Sequence, residues 1–251
     1  MRAGYAADAM NRSAHLSAVW LLLSCACSGP SSAEAAAGPM DAYVADPRLT
    51  LTTWARGLGA ARQLAFASNG DLFVNHGRVS VLWDADRDGV SREDERALFG
   101  EAPALNHGLA FDRAERFLYA SSDSGVYRFA YQKGQRKARA AAELVVRDLP
   151  RAGHSTRSLA FDSKGRLYVS VGSAGNVDVR PDDLRLRSQI RRFVIPAALP
   201  AGGLPYERGE VIASGMRNEV GLFVTTDDQL WGVENGRDNL QTMALVDACY
   251  Q

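Results

Sequence analysis

A histidine and an arginine occupy the same register in two copies of a short apolar phrase. His154 stands five residues before Leu159-Ala160-Phe161, and Arg217 five before Leu222-Phe223-Val224. An imidazole takes a proton from a hydroxyl at neutral pH. A permanently charged guanidinium holds a carboxylate or stabilises negative charge growing on a carbonyl oxygen. Asn218, next in the chain, adds an amide able to orient a polar ligand edge. Taken singly, His154 is an exposed loop histidine and Arg217 a salt-bridge partner for Glu219 or another blade. Their common register is what argues for a site.

A separate acidic string runs from Asp84 to Glu95. Asp84, Asp86 and Asp88 fall at positions one, three and five of a twelve-residue calcium loop, Gly89 at six, the Val90 carbonyl at seven and Glu95 at twelve. Hard oxygen donors at alternate positions wrap a hard cation. Against that, a strand precedes the string where an EF-hand has a helix, and Arg92 fills position nine. The alternative is an acidic, solvated hairpin tip.

The elements that must position these groups are repeats. The phrase recurs as Leu64-Ala65-Phe66, Leu109-Ala110-Phe111, Leu159-Ala160-Phe161 and Leu222-Phe223-Val224, at spacings of 45, 50 and 63 residues, with Gly59 and Ala104 matching His154 and Arg217 in the first two. That period suits four-stranded propeller blades, whose equivalent positions ring a central channel. Ser68-Asn69-Gly70 and Ser163-Lys164-Gly165 predict tight turns between strands at 62–66 and 71–74 and at 158–161 and 166–171. Third strands are expected at 79–83, 125–131 and 189–195, and only 92–98 hints at a helix. The expected fold is all-β, a β-propeller of four-stranded blades with about four present. No fifth phrase follows Asn239, so a truncated product is expected, with a four-bladed ring or half of an assembly as alternatives.

Lys plus Arg and Asp plus Glu each total 29, which gives no overall charge to draw the chain to nucleic acid or an anionic membrane. Arg185, Arg187, Arg191 and Arg192 read as solvated strand faces and loops. Residues 1–37 read as an export signal: Arg12 precedes an apolar run over 16–23 that is too short to span a bilayer, and Ala33-Glu34-Ala35 offers a cleavage pattern. A rival cut before Cys25 resembles a lipoprotein signal, with a lipid anchor at that cysteine. A periplasmic or secreted protein with its folded domain at 38–251 is expected, with no transmembrane span. Three cysteines, two of them in or beside the signal, exclude a disulfide scaffold. Glycine-rich phosphate loops and Gly-x-Ser-x-Gly elbows are absent from the sequence.

The stretches Gly153-His154-Ser155-Thr156-Arg157-Ser158-Leu159-Ala160-Phe161, Gly165 to Gly172 and Gly215-Met216-Arg217-Asn218 resemble the glucose/sorbosone dehydrogenase family. The resemblance covers roughly residues 51–239. It implies an exported six-bladed quinoprotein that oxidises aldose sugars to lactones with pyrroloquinoline quinone (PQQ) and calcium, passing electrons to an external acceptor. In that family a histidine heading an inner strand is the base, matching His154, and an Arg-Asn pair contacts the quinone, matching Arg217 and Asn218. A Glu-x-Gly turn offers carbonyls to the calcium beneath PQQ, matching Glu234-Asn235-Gly236-Arg237, with Gly236 and Arg237 as donors. Where relatives of glucose dehydrogenase type carry a polar glutamine in the loop before the second inner strand, this chain has Asn106-His107, with Asn106 the implied cofactor contact. The cationic residues that bind the PQQ carboxylates belong to blades missing here. The alternative function is a non-catalytic exported propeller that binds a ligand or protein.

Overall fold

Each apolar phrase becomes the first strand of an antiparallel sheet. A computed structural model describes residues 48–177, 185–236, 238 and 247–250. The expected export signal, Cys25 and Arg237 lie outside the described residues. The chain divides into two units, Met1–Arg56 and Gly57–Gln251. In the first, the Arg56 guanidinium donates to Thr53 Oγ1 at 3.2 Å.

The second unit is a run of four-stranded meanders. The first sheet joins β1 (Gln63–Phe66), β2 (Leu72–Asn75), β3 (Val79–Leu82) and β4 (Arg96–Gly100); the second joins β5 (Leu105–Phe111), β6 (Phe117–Ser122), β7 (Val126–Ala130) and β8 (Glu143–Arg147). The third holds β9 (Leu159–Phe161), β10 (Arg166–Val171), β11 (Gln189–Val194) and β13 (Glu210–Ser214). Between its last two strands, β12 (Leu204–Pro205) crosses to pair in parallel with β8. The fourth sheet is β14 (Asn218–Val224), β15 (Leu230–Asn235) and β16 (Asp247–Tyr250). The first strands of successive sheets touch, β1 with β5, β5 with β9 and β9 with β14. The fold is thus a β-propeller of four-stranded blades, with these strands on its inner side.

The hairpins follow from their turn chemistry. Asp112 Oδ1 accepts the amides of Arg116 and Phe117 at 2.7 and 2.9 Å, and Asp162 Oδ1 accepts those of Lys164 and Arg166 at 3.0 and 2.9 Å. Such side chains stand in for backbone acceptors that a tight turn leaves unmade. Neighbouring blades clasp at these tips, where Ser68 bonds the Glu115 carboxylate through its amide and hydroxyl, both at 2.8 Å, and Ser163 bonds Asp228 likewise. The helical hint at 92–98 is corrected. Within that stretch Glu93–Glu95 forms a 3-10 turn and Arg96 onward is strand β4, because antiparallel pairing with β3 and the burial of Phe99 outweigh local propensity.

Three apolar cores separate the blades. Phe73, Val81, Phe99, Leu109, Leu118 and Phe129 fill the first; Tyr119, Val145, Leu159, Leu167, Val169 and Phe193 the second; Ala160, Tyr168, Ile190, Met216 and Val224 the third. Phe73 is fully buried and meets Phe99, Phe111 and Tyr131 edge-on, at centroid distances of 5.0, 5.2 and 5.5 Å. On the far face of the fourth sheet, Phe223 and its cross-strand partner Trp231 are exposed, as is Val233. Arg191, expected on a solvated face, is instead buried and donates to the carbonyls of Glu207 and Gly209 at 2.8 and 2.9 Å. No described helix is long and apolar enough to cross a membrane. Phe73→Ala should cost about 3–5 kcal/mol in urea unfolding; a loss below about 1 kcal/mol would contradict this account of the first core.

Candidate active site

The chain enters each first strand through a left-handed residue: Gly59, Ala104, Gly153 and Gly215 have φ of 60°, 51°, 63° and 98°. At Gly153 glycine is required twice over, since a Cβ there would also lie 2.6 Å from the Ser173 carbonyl. This kink delivers His154 to the end of β10. The His154 amide donates to Ser173 O at 3.0 Å, and its Nδ1 lies 3.2 Å from that carbonyl and 3.0 Å from Ser173 Oγ.

The tautomer follows from this arrangement. A carbonyl oxygen only accepts, and the Ser173 hydroxyl already donates to Gly175 O at 2.6 Å. Nδ1 must therefore carry the proton, which leaves the basic lone pair of the neutral ring on Nε2.

Ser173 also binds the second loop, its amide donating to Arg217 O at 2.7 Å. Gly172 threads between the two: a Cβ there would lie 2.7 Å from His154 Cβ and 2.9 Å from Arg217 O. The structure thus brings His154 and Arg217 together, as their register implies. Asn218 Oδ1 accepts from Thr156 Oγ1 at 3.2 Å, and Asn106 Nδ2 donates to Ser155 O at 3.0 Å, so both join the same loop. Asn106 Oδ1 is buried with no partner among the described residues.

Arg217 is held by its own blade and by the loop after β10. Its amide meets Glu234 Oε1 at 2.5 Å, and its guanidinium meets Asn235 O at 3.2 Å, Asn176 Oδ1 at 2.8 Å and Asp238 Oδ1 at 3.0 Å. The ion-pair partner is therefore Asp238 and not Glu219. Arg217 Nε is buried and unpartnered among the described residues. Gly236 lies in the same turn.

Beneath this mouth lies a polar cluster that spacing alone did not reveal. Glu219, one residue past Asn218, is 2% exposed, and neither carboxyl oxygen has a hydrogen-bond partner among the described residues. Burial pushes it up to about 8, against the pull of the Ser170 and Ser158 hydroxyls and the Gly221 amide, with the Glu234 charge adding to the rise. His107, 2% exposed, sets Nε2 3.0 Å from Val220 O and 3.4 Å from Ser158 Oγ. Burial lowers it to about 4, helped by Arg62 and Arg157 and opposed by the Val220 carbonyl. The one sequence signal for Glu219 was a charged residue inside an otherwise apolar inner strand.

In the acidic string, carboxylate oxygens of Asp84, Asp86 and Asp88 lie within 4.8 Å of one another. Arg92 bonds Asp86 and Asp88, while Glu95 turns away to accept the Ala85 and Arg92 amides at 2.5 and 3.1 Å. The three aspartates are brought together and Glu95 is not with them. Val90, 37% exposed, donates its amide to Asp88 Oδ1 at 2.9 Å.

A propeller whose inner-strand loops join a histidine to an Arg-Asn pair defines the class. The family model described as TrAA12-like matches residues 43–248, and the chain belongs to this family. A PQQ-dependent sugar dehydrogenase of Hypocrea jecorina is 33% identical over 195 residues, 73% of this chain and 45% of that protein. A calcium structure of the Trichoderma reesei AA12 enzyme superposes with a TM-score of 0.66 at 29% identity, covering 77% of this chain and 52% of that one. The holo PQQ domain of Coprinopsis cinerea pyranose dehydrogenase gives 0.65 at 26% identity, covering 75% and 47%. The chain spans less than half the length of the curated relatives it matches.

The buried pair sets a pH dependence of stability. Glu219 is raised above the ordinary 4.5, so folding keeps a proton that the unfolded chain has released, and stability falls as pH climbs toward about 8. His107 is depressed from 6.5, so its contribution is lost as pH falls from 6.5 toward about 4. Above pH 6.5 only the Glu219 effect remains. Urea unfolding should show about 2 kcal/mol lost between pH 6.5 and 8, and Glu219→Gln should flatten that slope. An unchanged slope in the variant would contradict the assignment.

Proposed function

We propose that this chain carries the base and part of the cofactor cradle of a PQQ-dependent sugar dehydrogenase. The observation that carries this reading is Ser173, whose amide and carbonyl tie Arg217 to His154 while its hydroxyl and carbonyl hold the imidazole with Nε2 basic. The orphaned Arg217 Nε and Asn106 Oδ1 are buried polar atoms that a polar ligand would satisfy, and this fits the quinone. Arg217, Asn218 and Asn106 would hold PQQ, and the carbonyls of Gly236 and Arg237 its calcium. The bound cofactor supplies the two-electron acceptor for the sugar's hydride. His154 accepts the anomeric hydroxyl proton at Nε2, and Ser173 keeps the ring from turning. An aldose leaves as its lactone, electrons pass to an external acceptor, and the protein works in the periplasm or outside the cell, with Cys25 as its lipid anchor where one is used.

One observation favours a binding role without turnover. The Arg217 amino groups are already engaged by Asn235, Asn176 and Asp238. The two readings separate on addition of PQQ and calcium to the chain, with dye reduction followed over a panel of aldoses. We expect turnover that falls about 100- to 10,000-fold in His154→Ala, with PQQ uptake by absorbance retained. Failure to take up PQQ, or a fully active His154→Ala, would overturn the enzymatic reading.

The Asp84–Asp88 loop is proposed as a separate calcium site in which the ion displaces Arg92. Millimolar calcium should then raise the melting temperature by a few degrees, an effect that Asp86→Asn removes. Equal shifts in both proteins would place calcium elsewhere.

A further inference from the structure

We infer that Arg157 is the positioning residue of His154, a buried guanidinium whose two amino groups fix the backbone of the loop that presents the imidazole and tie it to the second blade. Arg157 is fully buried, yet it makes no ion pair among the described residues. Its two amino groups bond backbone carbonyls, Nη1 to His154 O at 2.6 Å and Thr156 O at 2.8 Å, Nη2 to Pro150 O at 2.5 Å and Asp123 O at 3.0 Å, while Nε is buried with no partner among the described residues. Burial lowers it to about 10, so it remains charged at neutral pH.

Placing an unpaired charge in the interior is costly, and four charge-assisted bonds to one loop and its neighbour are what offset it. The loop needs such a hold. Asp148, Ala152 and Gly153 all have left-handed φ, of 62°, 64° and 63°, a conformation that non-glycine residues keep only when surroundings impose it. Arg187 adds bonds to the carbonyls of Ala152, at 3.1 Å, and Arg151. Five carbonyls between Pro150 and Thr156 are thus gathered by two guanidinium groups.

The anchor itself is rigid. Ser121 Oγ donates to Arg157 O at 2.8 Å, and Gly108 packs so closely that a Cβ would lie 2.2 Å from that oxygen. His154 is therefore fixed at three points: its carbonyl by Arg157 from the second blade's side, its amide by Ser173 O, and its ring by Ser173. Freeing the carbonyl lets the peptide tilt, and small displacements of a catalytic group cost large factors in rate.

The catalytic part of this inference rests on His154 being the base; the clamp does not. Hydrogen exchange on the chain without cofactor tests the clamp. In Arg157→Lys, whose compact ammonium cannot span four carbonyls, amides 152–156 should exchange about 10- to 100-fold faster while those of β2 and β3 stay unchanged. Unaltered loop exchange in the folded variant would overturn the clamp. Should Arg157→Lys fail to fold, Ser121→Ala, which keeps the guanidinium but frees its carbonyl, should speed loop exchange about threefold or more, and no change would overturn it equally. With PQQ, calcium and an aldose, Arg157→Lys should lower kcat about tenfold or more with KM within about threefold. In a His154→Ala background it should cause no further loss; additive losses would refute action through His154. A fully active His154→Ala would sink the assigned base and leave the exchange result to decide the clamp alone.

Discussion

The backbone of Ser173 is the hinge point of the site. Its amide and carbonyl, 2.7 Å from Arg217 O and 3.0 Å from His154 N, bind loops from two different blades to the end of one strand. A single residue can do this because its backbone offers both a donor and an acceptor, and because Gly172 leaves no side chain in the way. The spacing of the two loops is then set by covalent geometry and two hydrogen bonds, which leaves the Arg217 guanidinium to be ordered by its own contacts.

That economy depends on blades that do not shift against each other. The three apolar cores provide this, each built from alternate residues of two sheets, and the serine-carboxylate clasps at the hairpin tips add direction that apolar contact lacks. The outward face of the fourth sheet, with Phe223, Trp231 and Val233, repeats the alternate apolar pattern of the faces that are covered. Exposed apolar area of that kind marks a surface suited to packing. The chain spans 52% of the Trichoderma reesei structure it superposes on.

Much of this was legible in the sequence. The phrase spacing gave the blades, because inner strands are short, apolar and followed by turns with a required glycine or aspartate. The register brought His154 and Arg217 to one mouth, because equivalent loops of successive blades are equivalent in space. Residues outside the phrase were harder. Ser173 acts through its backbone, which carries no side-chain signature. Arg157 carries no local signature of its burial, since its partners are carbonyls that every residue possesses. Arg191 escaped for the same reason. Strand β12 joins the neighbouring blade through two residues in parallel, a tertiary pairing that no local period encodes.

The axis inverts the logic of the interblade cores. There Glu219, His107, Ser158 and Ser170 are buried where leucines would give a more stable protein. Burial suppresses the charge of both ionisable groups, so neither adds a charge to the axis while both keep atoms able to donate and accept hydrogen bonds. Glu219 is the residue next to Asn218, and His107 the one next to Asn106, so two of the side chains that face the mouth are each backed by one that faces the axis. Since successive side chains of an extended strand point to opposite sides, a loop that presents an amide to a ligand must send its neighbour inward. The polar axis is in this sense the other half of the site, and its cost in stability comes with the strand geometry that aims Asn106 and Asn218.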